Sequence, residues 1–186
     1  MRKQYQFLVA PTIAILSILA TGQTILACPF GSPQEPASSS RTYANNEVGY
    51  SFLIPENYRT TTATYGILIL EPALFDYYQC ISRQNTPRDG ILSNVAVSTH
   101  TVRADNTSVH NLVLQKMPYL RNEGFNFRSG TLDGQPALLF FQENLLDDVT
   151  MKNVAVLSPN RRTMLVISGD QYDPALNRAL TSFEFD

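Results

Sequence analysis

The chain of 186 residues has little of what enzyme and metal sites are usually built from. It has no tryptophan, two cysteines and two histidines, and it shows no catalytic motif, phosphate-binding loop or cluster of metal-ligating residues. We therefore predict no catalytic residue, no cofactor and no metal site. Fourteen basic residues stand against 16 acidic ones, so the chain also lacks the positive charge that nucleic-acid binding needs. Its 10% of aromatic residues is too much for a disordered chain.

The stretch from Phe7 to Cys28 has no charged residue, and it follows Arg2 and Lys3 near the N-terminus. The densest apolar run, over residues 7–20, is followed by small residues, and this order is typical of a secretory signal peptide. We predict a signal peptide of the lipoprotein type over residues 1–27, and hence a location outside the cytoplasm. An uncleaved membrane anchor is the alternative, because the uncharged stretch would just reach the length of about 20 residues that a spanning helix needs.

The predicted signal peptide ends at Ile25-Leu26-Ala27-Cys28, which resembles the lipobox of bacterial lipoproteins. In that motif a small residue precedes a cysteine whose thiol forms a thioether with a diacylglyceryl group. Two acyl chains make a stable membrane anchor where one does not. The resemblance implies lipidation of Cys28 and a membrane-lipid partner. A second outcome stays open, because Cys28 and Cys80 are the only cysteines and exported proteins commonly pair such residues in a disulfide.

Residues 28–41 are rich in proline and serine, with Phe30 as the only large apolar residue. Such a composition predicts a flexible tether between the export signal and the folded domain. Without residues 1–27 the chain has 12 basic and 16 acidic residues, so no electrostatic adhesion to anionic lipid is expected. Attachment to a membrane would then depend on the acyl chains.

Residues 42–186 have the length and patterning of one domain. Short apolar stretches bounded by glycine and proline predict strands over residues 43–47, 50–54 and 67–70. The stretch from Glu71 to Gly90 carries aromatic residues in its first half, and its second half is predicted to be a loop. Alternating side chains predict a further strand over residues 94–102.

In the second half of the domain, the sequence pattern predicts two helices with an antiparallel meander between them. A helix capped by Thr107 or Ser108 is expected to end near Met117, because Pro118 cannot continue it. The dipeptide Asp173-Pro174 is a helix start signal and predicts a short terminal helix. Between the two helices, alternation and turn residues predict strands over residues 136–146, 149–157 and 162–168.

Three passages of this domain occur in a characteristic order. They are Gly49-Tyr50-Ser51-Phe52-Leu53-Ile54-Pro55, then Asn94-Val95-Ala96-Val97, and then a closing run over residues 153–157, 164–169 and 179–183 that ends in Ser182-Phe183. Together they resemble the PsbP-like family of lumenal photosystem proteins. The resemblance implies an α+β fold, an αβα sandwich with a central antiparallel sheet. It also implies a non-enzymatic protein attached to a membrane protein complex, and cyanobacterial members of the family are often lipoproteins.

We therefore expect an exported, membrane-tethered accessory protein of a membrane protein complex, which is not an enzyme, in the periplasm or a thylakoid lumen. One alternative is a small-ligand-binding protein or enzyme with a pocket lined by the aromatic segment Phe75–Tyr78. Another is a structural envelope lipoprotein.

The remaining polar residues are expected to have structural roles. His100 and His110 lack sequence partners, Asp147-Asp148 and Asp170 to Asp173 suit turns and caps better than a calcium site, and Arg161-Arg162 suits a solvated turn. Ser168-Gly169 does not have the setting of a nucleophilic serine.

Overall fold

The computed structural model describes residues 28–64, 66–84, 94–103, 107–121, 125–144 and 149–186. The predicted signal peptide over residues 1–27 lies outside the described residues. Within the described residues, no helix is both long enough and apolar enough to cross a membrane.

The described part of the chain forms ten strands, three α-helices and one turn of 3-10 helix. The strands are β1 (Ser40–Asn45), β2 (Tyr50–Pro55), β3 (Arg59–Ala63), β4 (Gly66–Leu70), β5 (Val95–Thr101), β6 (Arg128–Leu132), β7 (Gln135–Asn144), β8 (Val149–Leu157), β9 (Thr163–Asp170) and β10 (Glu184–Phe185). The α-helices are α1 (Pro72–Arg83), α2 (Val109–Lys116) and α3 (Pro174–Thr181), and the 3-10 turn spans Pro118–Arg121.

The strands form two antiparallel sheets. Seven strands make the main sheet in the order β3-β4-β5-β9-β8-β7-β6, and three make a small sheet in the order β1-β2-β10. The main sheet has β3 and β6 as its edge strands, and all its described pairings are antiparallel.

Alternation along the central strands buries the main sheet on both faces. In β8, Val154 and Val156 face a core shared with α3 and β2, whereas Ala155 and Leu157 face a core shared with α2. Successive side chains of a strand point to opposite faces, so a strand with helices on both sides reads as a nearly continuous apolar run. This arrangement confirms the predicted α+β fold with a central antiparallel sheet between layers.

Helix α1 was not predicted from the sequence. Pro72 starts it, and Leu74, Tyr78 and Ile81 form its buried stripe. Leu74 and Tyr78 pack with Leu70 of β4 in a small core of their own. The spacing of these three residues is helical, but the tyrosines and the phenylalanine between them hide the apolar pattern.

The other two helices begin as predicted, and α2 also ends as predicted. The Ser108 hydroxyl accepts the backbone N–H of Asn111 at the start of α2, and α2 ends at Lys116, before Pro118. The Asp173 carboxylate accepts the backbone N–H of Ala175 at 2.6 Å at the start of α3. Both caps satisfy donors that the first turn of a helix leaves unpaired.

The β6–β7 hairpin was only half predicted, because β6 was missed. Its two turn residues, Asp133 and Gly134, have φ angles of +48° and +69°. Two positive φ angles define the type I′ turn, for which Asp-Gly is a preferred pair. The turn places Leu132 opposite Gln135 and sets the register of the whole edge of the sheet.

Candidate functional site

Cys28 and Cys80 are joined in a disulfide, with their Cα atoms 5.7 Å apart. Cys80 lies in the last turns of α1, so the bond ties the beginning of the described chain to that helix. The disulfide is the second of the two outcomes that the sequence left open. A sulfur in a disulfide cannot also carry a thioether to a diacylglyceryl group. The lipidation predicted for Cys28 and the bond seen in the structure therefore exclude each other.

The segment predicted as a flexible tether, residues 28–41, is held against the domain in the structure. The Ala37 N–H donates to the side-chain oxygen of Asn57 at 2.9 Å, and the Asn57 amide donates to the Glu35 carbonyl at 3.0 Å. The Arg178 guanidinium of α3 donates to the carbonyls of Ala37 and Ser39 at 3.0 and 3.1 Å. The partners in these contacts lie far along the chain, so no local signal in the sequence indicates them.

Two clefts flank the edge strand β6, one on each face of the main sheet. The first, of about 610 Å³, lies between β6, β7 and the beginning of α2. The second, of about 400 Å³, lies between β6, β7, β8 and Leu180 of α3. Ser129, Gly130 and Ala137 line both clefts. Both clefts therefore open along the sheet edge that β6 forms.

The first cleft carries His110, Arg161 and the hydroxyl groups of Ser108 and Ser129. The His110 ring contacts Phe127, with centroids 4.8 Å apart, and its buried Nε2 atom has no hydrogen-bond partner among the described residues. A serine nucleophile needs a base within hydrogen-bond reach, and neither hydroxyl is bonded to this imidazole. Within the described part of the chain, the Nε2 atom of His110 therefore has no bond to either serine hydroxyl.

The second cleft is apolar at its floor and basic at its rim. Arg128 lies opposite Leu139 of β7, which lies opposite Val154 of β8, so the three side chains share one face. Lys152 lies two residues from Val154 on the same face. Of the described residues that line this cleft, Arg128 and Lys152 are the only charged ones.

The backbone of β6 is paired on one side only. Its five residues pair with β7, and no described strand lies along its other edge. The first four residues, Arg128 to Thr131, are all exposed. The groups on this edge are therefore available to a strand from outside the described chain.

His100 lies in β5 on the face that α2 covers. Its Nε2 atom is 3.3 Å from the Ser98 hydroxyl. Burial lowers the pKa of His100 below its ordinary value, and the positive charge of Lys116 lowers it further. His100 is thus partly buried beside the Ser98 hydroxyl. The described residues hold no group of three or more potential metal ligands.

The acidic and serine residues weighed in the sequence have structural contacts. Asp173 caps α3 and also accepts the Asn94 amide at 2.9 Å, and Asp170 accepts the Tyr172 N–H. Ser168 donates to the side chain of the buried Asn153 at 2.7 Å. Asp147 and Asp148 lie outside the described residues.

The aromatic segment Phe75–Tyr78 lines neither of the two clefts. Tyr78 of α1 is buried, and Tyr77 of the same helix contacts Phe30 of the N-terminal segment with ring centroids 5.4 Å apart. Tyr77 and Tyr78 of this segment thus pack against other parts of the chain. The two clefts beside β6 were not predicted, because they depend on the unpredicted strand β6.

No protein-family model matches the chain, and no curated protein matches it. Its fold is similar to the solution structure of cyanobacterial PsbP (CyanoP) from Synechocystis, with a TM-score of 0.50 at 16% identity over 85% of this chain and 99% of that chain. A Bacteroides thetaiotaomicron protein has a TM-score of 0.47 at 7% identity over 78% of this chain and 48% of its own. LpqN of Mycobacterium tuberculosis, involved in cell envelope biogenesis, has a TM-score of 0.44 at 15% identity over 78% and 90%. The first of these similarities shows that the chain has a PsbP-like fold.

Proposed function

We propose that this chain is an exported accessory protein that binds a membrane protein complex and catalyses no reaction. The PsbP-like fold and the three sequence passages that resemble the PsbP-like family support an accessory role. The disulfide supports a location outside the cytoplasm, because disulfides form and persist in oxidising compartments.

The single observation that carries the binding function is the exposed edge of β6 between its two clefts. Small-molecule sites usually bury most of their ligand, whereas both clefts beside β6 open along one edge of the sheet. An unpaired strand edge is instead suited to another polypeptide, because it offers a row of main-chain donors and acceptors. Protein binding is therefore the function that this geometry favours.

The disulfide bears on how the protein stays at a membrane. Lipid attachment through Cys28 would use the thiol that Cys80 occupies. In the disulfide-bonded form the protein is therefore held at the membrane by contact with its partner complex. An acylated form, with Cys80 as a free thiol, would add a lipid anchor, which raises the effective concentration of the binding surfaces.

Affinity co-purification from detergent-solubilised native membranes tests this function. Wild type, Cys28→Ser and Cys80→Ser are compared as full chains under non-reducing conditions. We expect wild type to bring down a membrane protein complex in stoichiometric amount. Wild type that is recovered alone would refute the accessory function.

The two cysteine variants separate the two modes of attachment. A lipid anchor needs Cys28 only, so Cys28→Ser would release the protein from membranes whereas Cys80→Ser would not. A disulfide needs both residues, so the two variants would behave alike. Extraction of the membranes with carbonate before solubilisation distinguishes a lipid-anchored protein, which stays in the pellet, from one held by protein contact.

A further inference from the structure

We propose that the open edge of β6 binds an extended, acidic peptide segment of the partner, which joins the main sheet as an additional strand. This proposal deepens the proposed function and rests on it, because it names the surface and the chemistry of the partner. Three features of the hairpin carry it: the direction of the free backbone groups, the cleft on either side, and the basic side chains of the second cleft.

The type I′ turn decides which backbone groups of β6 are free. A two-residue turn makes its flanking pair, Leu132 and Gln135, a hydrogen-bonded pair, and pairs alternate from there along the ladder. The N–H and C=O groups of Ser129 and Thr131 therefore point away from β7. Pro136 lies opposite Thr131 in a non-hydrogen-bonded pair, so the β6–β7 ladder needs no N–H group from it. The free edge thus offers two donors and two acceptors in strand geometry.

The two clefts lie where the side chains of an added strand would point. Successive side chains of a strand alternate between the faces of a sheet. A peptide paired with β6 would place one set of side chains over the first cleft, beside His110 and Leu138. It would place the other set over the second cleft, beside Leu139 and Leu180. Main-chain pairing with pockets for alternate side chains is the general mode of strand addition.

The charge of the clefts favours an acidic peptide. Arg128 and Lys152 are in the lining of the second cleft and Arg161 is in that of the first, and among the described residues neither lining includes an acidic one. Arg161 also donates to the Thr107 carbonyl at 3.3 Å, which holds its guanidinium at the rim. Asp133, the acidic residue of the β6–β7 turn, accepts the Phe185 N–H. An acidic segment would therefore meet the basic side chains of the second cleft.

The opposite edge of the main sheet does not offer the same surface. Strand β3 packs against α1, and none of its residues lines either cleft. Its centre is a run of threonines, Thr60 to Thr62, with no basic residue between them. This edge therefore serves as the matched control for β6.

The test is a titration of the isotope-labelled full chain with synthetic peptides, followed by nuclear magnetic resonance. The probe is a blocked peptide of four Val-Glu repeats, and its control is the same peptide with lysine in place of glutamate. We expect the Val-Glu peptide to shift the amide signals of Ser129 and Thr131 and to slow hydrogen exchange at both by about tenfold or more. The Val-Lys peptide is expected to bind at least about tenfold more weakly.

Thr131→Pro removes one of the outward N–H groups while leaving the β6–β7 ladder intact. The variant should weaken binding of the Val-Glu peptide by about tenfold. Thr62→Pro makes the same change at an outward position of β3 and should leave binding unchanged. The thermal midpoints of both variants report whether they fold, and the double variant Arg128→Glu, Lys152→Glu tests the charge without touching the backbone. That double variant should remove the preference for glutamate over lysine.

Several results would overturn the proposal. These are no binding of the Val-Glu peptide to wild type, equal binding of the two peptides, or unchanged binding by folded Thr131→Pro. A dimer of wild type that Thr131→Pro abolishes would assign the edge to a second copy of the chain. The experiments distinguish a failure of the proposed β6 binding surface from a failure of the proposed accessory function. A membrane complex recovered equally by wild type and Thr131→Pro would refute the surface alone, whereas peptide binding without a recovered complex would refute the accessory function alone.

Discussion

The substitution Cys80→Ser opens the disulfide that ties the N-terminal segment to α1. The bond joins residues 52 positions apart, so it closes a long loop in the unfolded chain. The loop-closure relation assigns a cross-link of this span about 4 kcal/mol at 25 °C, and natural disulfides typically contribute about 2–4 kcal/mol. We therefore expect Cys80→Ser to lower the free energy of unfolding by about 3 kcal/mol. For a domain of this size the thermal midpoint should fall by roughly 6–12 °C.

The measurement is urea unfolding followed by circular dichroism, on wild type, Cys28→Ser, Cys80→Ser and the double variant. One bond is lost in every variant, so all three should lose the same free energy, and the double variant should lose no more than either single one. Reduction of wild type should reproduce the loss. The hydrogen bonds from Arg178 to Ala37 and Ser39 remain in every variant, so the far end of the segment should stay in place.

The reasoning would be refuted by an asymmetric result. If Cys28 carries lipid in the cell, Cys80 is a lone thiol in wild type, and Cys80→Ser should cost less than about 1 kcal/mol. Reduction would then have no effect on stability. The mass of the N-terminal peptide, which increases when diacylglyceryl is attached, would identify the lipid directly. Protein exported by its own signal must be used, since only then are both fates of Cys28 open.

Three further predictions concern the domain itself. Asp173→Ala removes the cap that accepts the Ala175 N–H and should lower the free energy of unfolding by about 1 kcal/mol, so an unchanged urea midpoint would contradict it. Gly66→Ala would place a Cβ atom 1.9 Å from the Val97 carbonyl oxygen, so its thermal midpoint should fall clearly, and a midpoint equal to that of wild type would show that the strand can shift. The pKa of His100 is lowered in the folded state, so stability should be fully present above the ordinary value of 6.5 and should decrease as the pH falls below it. His100→Gln should flatten this part of the pH profile of stability, and a variant profile as steep as that of wild type would contradict the assignment.

Elements with a strong local pattern were predicted well. The runs in β8 and β9 are bounded by turn residues, and Asp173-Pro174 starts α3 by a cap and a first-turn proline. Helix α1 was missed because its aromatic residues hide the spacing of Leu74 and Tyr78. Strand β6 was missed although Asp133-Gly134 is a strong hairpin signal, since β6 itself has only one large apolar residue, Leu132.

The candidate site was the least predictable part of the molecule. The choice between two fates of Cys28 depends on the position of Cys80, which only the packing of α1 brings close. The clefts beside β6 depend on Leu180 of α3 and Arg161 of the β8–β9 turn, which are distant in sequence from the hairpin. Neither arrangement has a periodicity or a motif that a single sequence displays.

The sequence by itself determined the local elements, because caps, turn residues and side-chain periodicity act over a few residues. It also carried the resemblance to the PsbP-like family, which implied the α+β fold that the structure shows. The tertiary structure decided that the edge of β6 is open, which basic side chains lie beside it, and that Cys28 is bonded to Cys80. These are properties of residues that are far apart along the chain, and they exist only once the long-range packing has brought those residues together.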